Sequence, residues 1–378
     1  MTRPHFIRHW QELEAEEQVR PPAMDEPFGY VAEFAPAANI SHLRVAHMRL
    51  PPGVRAYPPM ALRSLEIFCF VLEGTPDLWI DGHLHRLAEG DGITLTARTG
   101  IAHSLLNNTD SDVRLFTFTE PLGLMTKAHH PKDAAVTEHM EQMGMHWDDA
   151  PKRKLGPHDG LTDTARGGPG PKGARKRTKP DFVAHWRDIL DRKPGFYPND
   201  DEPQGIDASF GRRARFSRIG VHVEVLKPGR RTSRPHAERD EDEFVYVVSG
   251  HVDAWNDGRI TPMGPGDFIG WEAGTGITHV ILNNSDEDAV LIVGGEAGRR
   301  RNRFWYPFHP KYNKEIGELY WADHPVPKLG PHDGLPDALR AKAKPARKRK
   351  PAVTKKAKKK AAKRTKVTRK TKKARKKR

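Results

Sequence analysis

The chain has 378 residues, of which 36% are hydrophobic, 30% charged and 8% aromatic. This length and composition allow two or three domains with ordinary cores and exclude a chain that is disordered throughout. The net charge of +15 is uneven, because residues 340–378 hold 23 lysines and arginines and no acidic residue, which leaves −8 on residues 1–339.

A single cysteine, Cys69, lies in the apolar run IFCFVL. One thiol excludes an intramolecular disulfide framework and a thiolate zinc cluster, and it fits a reducing compartment. The first twenty residues are polar and charged, and no run of 18 apolar residues occurs. We therefore expect no secretory signal and no membrane span, and we expect a cytoplasmic protein.

The chain repeats itself at an offset of 176 residues. The segment PHFIRHW from Pro4 aligns with PDFVAHW from Pro180, and TGIAHSLLNNTD from Thr99 aligns with TGITHVILNNSD from Thr275. Near the end of each copy the segment KLGPHDGL recurs at an offset of 174 residues. This pattern indicates a tandem duplication.

The domain boundaries follow from the repeat. We assign residues 1–165 to a first domain, 180–339 to a second domain and 340–378 to a tail. Residues 166–179, RGGPGPKGARKRTK, join the two domains, and their glycine, proline and basic residues are typical of a solvated linker.

Each copy begins with a segment that predicts a short helix, since FVAHWRDIL from Phe182 places apolar residues at helical spacing. Short runs such as EFVYVVSG and HVILNN follow, separated by glycine or aspartate breaks every 8 to 12 residues. That pattern is typical of an antiparallel sandwich or barrel. The predicted fold class is therefore all-β, with two tandem barrels and short peripheral helices.

The second copy carries four residues of metal-ligand type on three predicted strands: His236, Glu238, Glu243 and His279. His236 and Glu238 are two apart, so on an extended segment both side chains point to one face. Glu243 follows on the next strand, and His279 opens a later one. Together they would form a set of nitrogen and oxygen ligands that suits Mn²⁺, Fe²⁺, Ni²⁺ or Zn²⁺.

These segments resemble the two motifs of the cupin superfamily, and the matching residues are Gly229, His236, Glu238, Glu243 and Gly250, then Gly266, His279 and Asn283. The resemblance covers residues 40–120 and 216–296, and it implies two double-stranded β-helix (jelly-roll) barrels in tandem, a bicupin. It also implies one divalent metal ion in the second barrel. Glu238 stands where the family has a second histidine, which leaves its role as ligand open.

The first copy lacks this set of ligands. In the same register His236, Glu238 and Glu243 become Met60, Leu62 and Ile67, and His103 remains with a displaced Glu66. Apolar side chains cannot hold a hard dication, so we expect the first barrel to bind no metal and to serve as a scaffolding or dimerisation half, with a homodimer as one form of the protein.

Two hypotheses for the function follow. One is a metal-dependent enzyme, an isomerase or an oxygenase, that acts on a small oxygen-rich molecule with Glu238 as general base. The other is a non-enzymatic small-molecule sensor or a nucleoid-associated accessory protein, because cupin-like folds host both enzymes and binding proteins.

Two repeated features are interpreted as structural. The His-Asp pair in GPHDG occurs at His158 and again at His332, beside both the site-bearing and the site-lacking barrel, so we expect a turn that closes each domain. Trp79 and Trp255, at equivalent positions, are expected to pack in the core.

The tail consists almost exclusively of Lys, Arg, Ala, Pro and Thr. Such a segment cannot bury enough apolar surface to offset the entropy of ordering, so we expect residues 340–378 to be disordered. It resembles the C-termini of linker histones. Its charge predicts sequence-independent, salt-sensitive binding to nucleic acid and a nucleoid association, with a solubilising tail as the alternative.

Overall fold

The computed structural model describes residues 3–342, apart from residues 21–23, 25, 122, 124–125 and 299–301. Most of the tail, residues 343–378, lies outside this part of the chain. The disorder predicted for the tail therefore stays a prediction. None of the helices within the described residues is both long enough and apolar enough to cross a membrane.

The described residues are mostly in short strands. In the first half these are β1 (Ile7–His9), β2 (Tyr30–Glu33), β3 (Arg44–Leu50), β4 (Ala61–Leu62), β5 (Ile67–Glu73), β6 (Asp77–Ile80), β7 (His83–Arg86), β8 (Asp91–Leu95), β9 (His103–Leu106), β10 (Val113–Thr119), β11 (Ala128–His129) and β12 (Arg175–Lys176). In the second half they are β13 (Val183–His185), β14 (Ile206–Ala208), β15 (Ile219–Leu226), β16 (Ala237–Glu238), β17 (Glu243–Ser249), β18 (Val252–Asn256), β19 (Arg259–Met263), β20 (Asp267–Trp271), β21 (His279–Leu282), β22 (Ala289–Glu296) and β23 (Phe304–Trp305).

The helices are short and lie between or after the strands. They are α1 (Trp10–Leu13), α2 (Ala134–Gln142), α3 (Asp163–Arg166), α4 (Phe210–Ala214), α5 (Pro310–Glu315) and α6 (Asp337–Lys342), with single 3-10 turns at Pro36–Ala38, Trp186–Ile189 and Gly317–Leu319. The predicted fold class, all-β with two tandem jelly-roll barrels and short helices, is confirmed.

Each copy is built on a six-stranded sheet that is buried on both faces. The strand orders are β13-β8-β5-β10-β3-β2 in the first copy and β1-β20-β17-β22-β15-β14 in the second. In β5, Cys69 and Val71 enter the core of the first barrel, whereas Phe68 and Phe70 pack against the other copy. Two buried faces explain why a central strand such as β5 is a nearly continuous apolar run, IFCFVLE, that does not alternate with polar residues.

The two copies exchange their N-terminal strands. β1 pairs with β20 of the second copy, with Ile7 opposite Ile269, and β13 pairs with β8 of the first copy, with Val183 opposite Ile93. The sequence predicted a peripheral helix in this segment, and the helical part is a single turn at α1 and at Trp186–Ile189. The segment pairs with the open edge of the other copy's sheet, whose backbone groups accept and donate its hydrogen bonds in place of a longer helix.

An aromatic core fills the space between the two sheets. Its buried rings are Phe34, Phe68, Phe70, Phe116, Phe118, Trp186, Phe210, Phe244, Tyr246 and Phe268. Phe34 stacks on Phe268 with 4.5 Å between ring centroids, and Phe118 meets Phe244 edge to face at 4.8 Å. Because these pairs join residues of different copies, the two barrels share one hydrophobic core.

A buried carboxylate of each copy binds the backbone of the other. Glu66 accepts hydrogen bonds from the backbone N–H groups of Ser217, Arg218 and Ile219 at 2.9–3.2 Å. In the equivalent position Asp242 accepts one from the N–H of His42 at 3.1 Å. The displaced glutamate of the first copy is therefore part of the interface between the barrels and not of a metal site.

The GPHDG segment closes each barrel against a tight turn. The N–H of His158 donates to Gly82, and the indole of Trp79 donates to the carbonyl of His158 at 3.2 Å. The second copy repeats the contact, with the indole of Trp255 donating to His332 at 3.0 Å. Both tryptophans are fully buried, as expected for core residues.

The first test concerns the buried carboxylate at the interface. Replacing Glu66 by alanine leaves three backbone donors without their acceptor, so we expect the free energy of unfolding to fall by about 3 kcal/mol. Glu73→Ala, on the exposed end of β5, is the control and should cost below about 1 kcal/mol. Denaturant unfolding of both variants measures this, and equal effects would contradict the assigned role.

The second test concerns a histidine in the same interface. His47 is buried and stacks on Trp10 of the exchanged segment at 4.5 Å. Burial, and after it the charge of Arg114, lowers the pKa of His47 to about 3. Because the unfolded chain then takes up a proton that the folded chain refuses, stability is complete above the ordinary pKa of 6.5 and falls as the pH drops from 6.5 towards 3.

We expect His47→Leu to flatten this fall by at most about 1.4 kcal/mol per pH unit between pH 6.5 and 5. Urea unfolding at several pH values gives the slope. His251→Leu, at a side chain that is 70% exposed, serves as the control. A slope that is the same in wild type and His47→Leu would show that this histidine does not govern acid stability.

Candidate metal centre

Two separate strand segments bring the predicted histidines together. His236, just before β16, and His279, the first residue of β21, form an antiparallel bridge and exchange backbone hydrogen bonds of 3.2 and 2.8 Å. Glu243 is the first residue of β17, and its neighbours across the sheet are Trp271 and Gly295. The fold thus places three chain segments, far apart in sequence, around one point.

The ligand atoms of three predicted residues converge. One atom each from His236, Glu243 and His279 lies within 4.8 Å of the others. Nε2 of His279 is 2.9 Å from Oε2 of Glu243, and Nε2 of His236 is 3.5 Å from the same oxygen. Both histidines are buried, and the glutamate side chain is 29% exposed.

The orientation of both imidazoles is held by the local backbone. Nδ1 of His236 lies 2.9 Å from the carbonyl oxygen of Arg234, and Nδ1 of His279 lies 3.1 Å from that of Ile277. A proton on Nδ1 makes each of these a hydrogen bond and turns Nε2 towards Glu243, where a bound cation would take the place of a proton on Nε2. This is the arrangement in which histidine binds a metal ion.

The charges of the centre shift the pKa values of its members. Burial would raise the pKa of Glu243, but hydrogen bonds from both histidines outweigh it and hold the pKa well below its usual value. Burial would lower the pKa of His236, but the pairs with Glu238 and Glu243 raise it well above 6.5. Burial prevails at His279, whose pKa is lowered. Glu243 is therefore a carboxylate at neutral pH.

Glu238 lies beside the group of three. Its Oε1 is 3.6 Å from Nε2 of His236, and its Oε2 accepts a hydrogen bond from the amide of Asn302 at 2.6 Å. Burial, together with repulsion from Glu243, raises the pKa of Glu238 to about 7. Asn302 was not predicted, because it follows the last barrel strand and lies outside both motifs.

Two aromatic rings pack on the histidines. The ring of Trp271 stacks on His279 with 4.0 Å between centroids, and Tyr306 stacks on His236 at 5.6 Å. These rings restrict rotation of the imidazoles and keep water from one side of the centre. The sequence analysis missed Trp271, which its strand pattern alone marks only as a core residue.

The opening beside the centre is acidic. It is lined by Glu238, Glu241, Glu243, Trp271, Glu272, Thr275, Ile277 and His279. Four carboxyl groups around a narrow cleft attract cations and disfavour anions.

The first barrel is apolar at the equivalent place. His103 is buried there beside Met60, and its backbone pairs with that residue as His279 pairs with His236. Burial lowers the pKa of His103 to about 4, so this imidazole is neutral. Among the residues that the structure describes, the inside of the first barrel holds no group of three convergent metal-ligand side chains.

A comparison with protein families matches the cupin domain twice, at residues 46–119 and 222–294. The two matches start one repeat length apart and each covers the strands of one barrel. The chain is therefore a tandem cupin protein, a bicupin. A comparison with curated proteins finds no match.

Solved structures similar to this chain include two oxalate decarboxylases. The enzyme of Bacillus subtilis is 15% identical, with 80% of each chain covered and a TM-score of 0.48. The enzyme of Lactobacillus farciminis, in a formate complex, is 17% identical, with 80% of this chain and 89% of that chain covered and a TM-score of 0.48.

Proposed function

We propose that the second barrel binds one divalent metal ion through His236, Glu243 and His279, and that a small oxygen-rich molecule binds beside it. The observation that carries this proposal is the convergence of two imidazole Nε2 atoms on one carboxylate, with both Nδ1 atoms turned to backbone carbonyls. Two nitrogens and one oxygen suit Mn²⁺, Fe²⁺, Ni²⁺ or Zn²⁺.

Glu238 is proposed as the fourth ligand or as the acid and base of the site. A bound divalent ion would supply Lewis-acid polarisation of a ligand oxygen. Glu238 has the pKa nearest to neutrality among the acidic groups of the centre, and its position is held by Asn302. A carboxyl group of that pKa can take or return a proton at neutral pH, as proton transfer in an isomerisation or an oxygenation needs.

The charge of the cleft supports one class of ligand over another. Four glutamates and one divalent ion would leave the opening negative, also when Glu238 is protonated. On charge, a neutral, hydroxylated ligand is therefore favoured beside this centre over a dianion. Whether this ligand is turned over or only bound separates the enzyme from the sensor.

A metal titration tests the proposed centre. We expect the full chain, stripped with chelator and dialysed against Mn²⁺, to lose one bound ion per chain when His236 and His279 are both changed to alanine. Two imidazole ligands contribute most of such a site's affinity, and removing both leaves only carboxylates. Elemental analysis counts the ions.

His103→Ala is the matched control, since His103 has the equivalent place in the first barrel. It should leave the number of bound ions unchanged. An undiminished metal content in the His236→Ala, His279→Ala variant would contradict the proposed centre.

We also propose that the tail binds polyanions. The supporting observation is the 23 cationic and no acidic residues among 340–378, beside a body of formal charge −8. Ammonium and guanidinium groups displace counterions from nucleic acid without reading its sequence. A role at the nucleoid and formation of a homodimer remain predictions from the sequence.

A salt titration tests the tail. If six to ten phosphates are neutralised, affinity for duplex DNA should fall on the order of a thousandfold or more between 50 and 200 mM salt. Deleting residues 340–378 should abolish binding at either concentration, as fluorescence anisotropy would show. Equal binding by the truncated chain, or an affinity that hardly changes with salt, would favour the solubilising role.

A further inference from the structure

We propose that the second barrel contains a second divalent-metal site, formed by Asp207, His222 and Glu224. These residues lie outside both cupin motifs, and the proposal does not depend on the centre at His236. It goes beyond the proposed function, because it gives the barrel a second ion on a different pair of strands.

The three side chains share one face of the large sheet. His222 lies opposite Val293 in the register of β15 and β22, and Glu224 lies opposite Leu291. Both of these partners pack in the core of the second barrel. Asp207, on the edge strand β14, is paired directly with Glu224. Since paired residues point to the same side, all three side chains lie on the face of the sheet that lines the barrel, with Glu224 buried and Asp207 40% exposed at the edge.

Their ligand atoms are spaced for a common ion. Nε2 of His222 is 3.5 Å from Oε2 of Glu224 and 3.9 Å from Oδ1 of Asp207, and one atom of each residue lies within 4.8 Å of the others. These separations are long for hydrogen bonds. Ligands at about 2.0–2.2 Å from one ion lie roughly 3–3.7 Å apart, so a small inward movement closes the site.

Glu224 supplies an independent sign of a missing partner. Its side chain is 4% exposed, and its Oε1 is buried without a hydrogen-bond partner among the described residues. A side chain at Gly205 would meet this oxygen at 1.9 Å, so the glycine keeps space for the carboxylate. A buried carboxylate oxygen with no donor costs free energy unless a cation pairs with it.

The first copy gives the strongest support. In its register Asp207, His222 and Glu224 become Val31, Ala46 and Met48. Val31 and Met48 are paired across β2 and β3 just as Asp207 and Glu224 are paired across β14 and β15. The same strand positions therefore fold well with apolar residues, and polar groups here are not needed for the barrel.

A route from the surface reaches this part of the barrel. A cavity of about 370 Å³ is lined by His222 and Glu243 together with Gly220, Arg212 and Arg215. It reaches one of the three proposed ligands, His222. One imidazole and two carboxylates favour Mn²⁺, Fe²⁺ or Zn²⁺ over Ca²⁺ and Mg²⁺, which prefer oxygen ligands alone.

Mn²⁺ counting on the full chain tests the proposal. We expect two ions per chain in wild type and one in the variant His222→Ala, Glu224→Met, which copies the apolar residues of the first barrel. Combining it with His236→Ala, His279→Ala should leave none. An ion count that His222→Ala, Glu224→Met does not change overturns the second site, whether wild type holds one ion or two.

The failure of the first centre would look different. If His236→Ala, His279→Ala keeps every ion while His222→Ala, Glu224→Met loses one, the proposed function is wrong and the second site stands. Asp288→Asn, an exposed acid next to β22, controls for loss of charge and should change neither count.

A thermal measurement separates a metal site from a purely structural ion cluster. In the His236→Ala, His279→Ala background, Mn²⁺ should raise the melting temperature, and Glu224→Gln should remove that rise while preserving the shape of the side chain. In chelator, Glu224→Gln should melt no lower than its parent. A lower melting temperature in chelator with no response of the parent to Mn²⁺ would show a structural cluster and overturn the proposal.

Discussion

The exchange of N-terminal strands is the constraint on which the rest of this molecule depends. β1 completes the sheet of the second copy and β13 completes that of the first, so neither sheet has all its strands within its own repeat. The aromatic core then forms between the two completed sheets. A strand pair of three residues is weak alone. Here it joins two sheets whose aromatic faces, on the outside of each barrel, are already buried against each other.

The shared core also explains why an apolar first barrel persists. Phe116 of the first copy packs on Phe244 of the second with 5.7 Å between ring centroids, and Phe34 of the first copy stacks on Phe268. Removing the first barrel would expose the back of the sheet that carries Glu243 and β15. The first copy therefore supports the polar barrel through this aromatic face, while its own interior is apolar around His103 and Met60.

The second barrel concentrates ionisable groups in a place where burial makes them costly. Each carboxylate there is balanced in a different way: Glu243 by two histidines, Glu238 by a raised pKa and Asn302, and Glu224 incompletely. Such groups are expensive to bury without partners, and the first copy has the apolar residues Ile67, Leu62 and Met48 at these three positions, which points to a use of the carboxylates in the second copy. The acidic opening is consistent with a barrel that collects cations.

The sequence by itself determined the duplication, the all-β class and the four candidate ligands, because alternation, turn residues and repeated motifs are local properties of a chain. It could not place Glu66 in the interface or bring Asn302 to Glu238, since the first contact joins the two copies and the second joins residues 64 positions apart. It also could not stack Trp271 on His279, because the two residues lie on separate strands, β20 and β21, whose relative position the loop between them does not fix. The sequence also predicted a peripheral helix for the first segment of each repeat. A helical spacing of apolar residues is a preference of the isolated segment, and only the tertiary structure offered the free sheet edge that turned three of those residues into a strand.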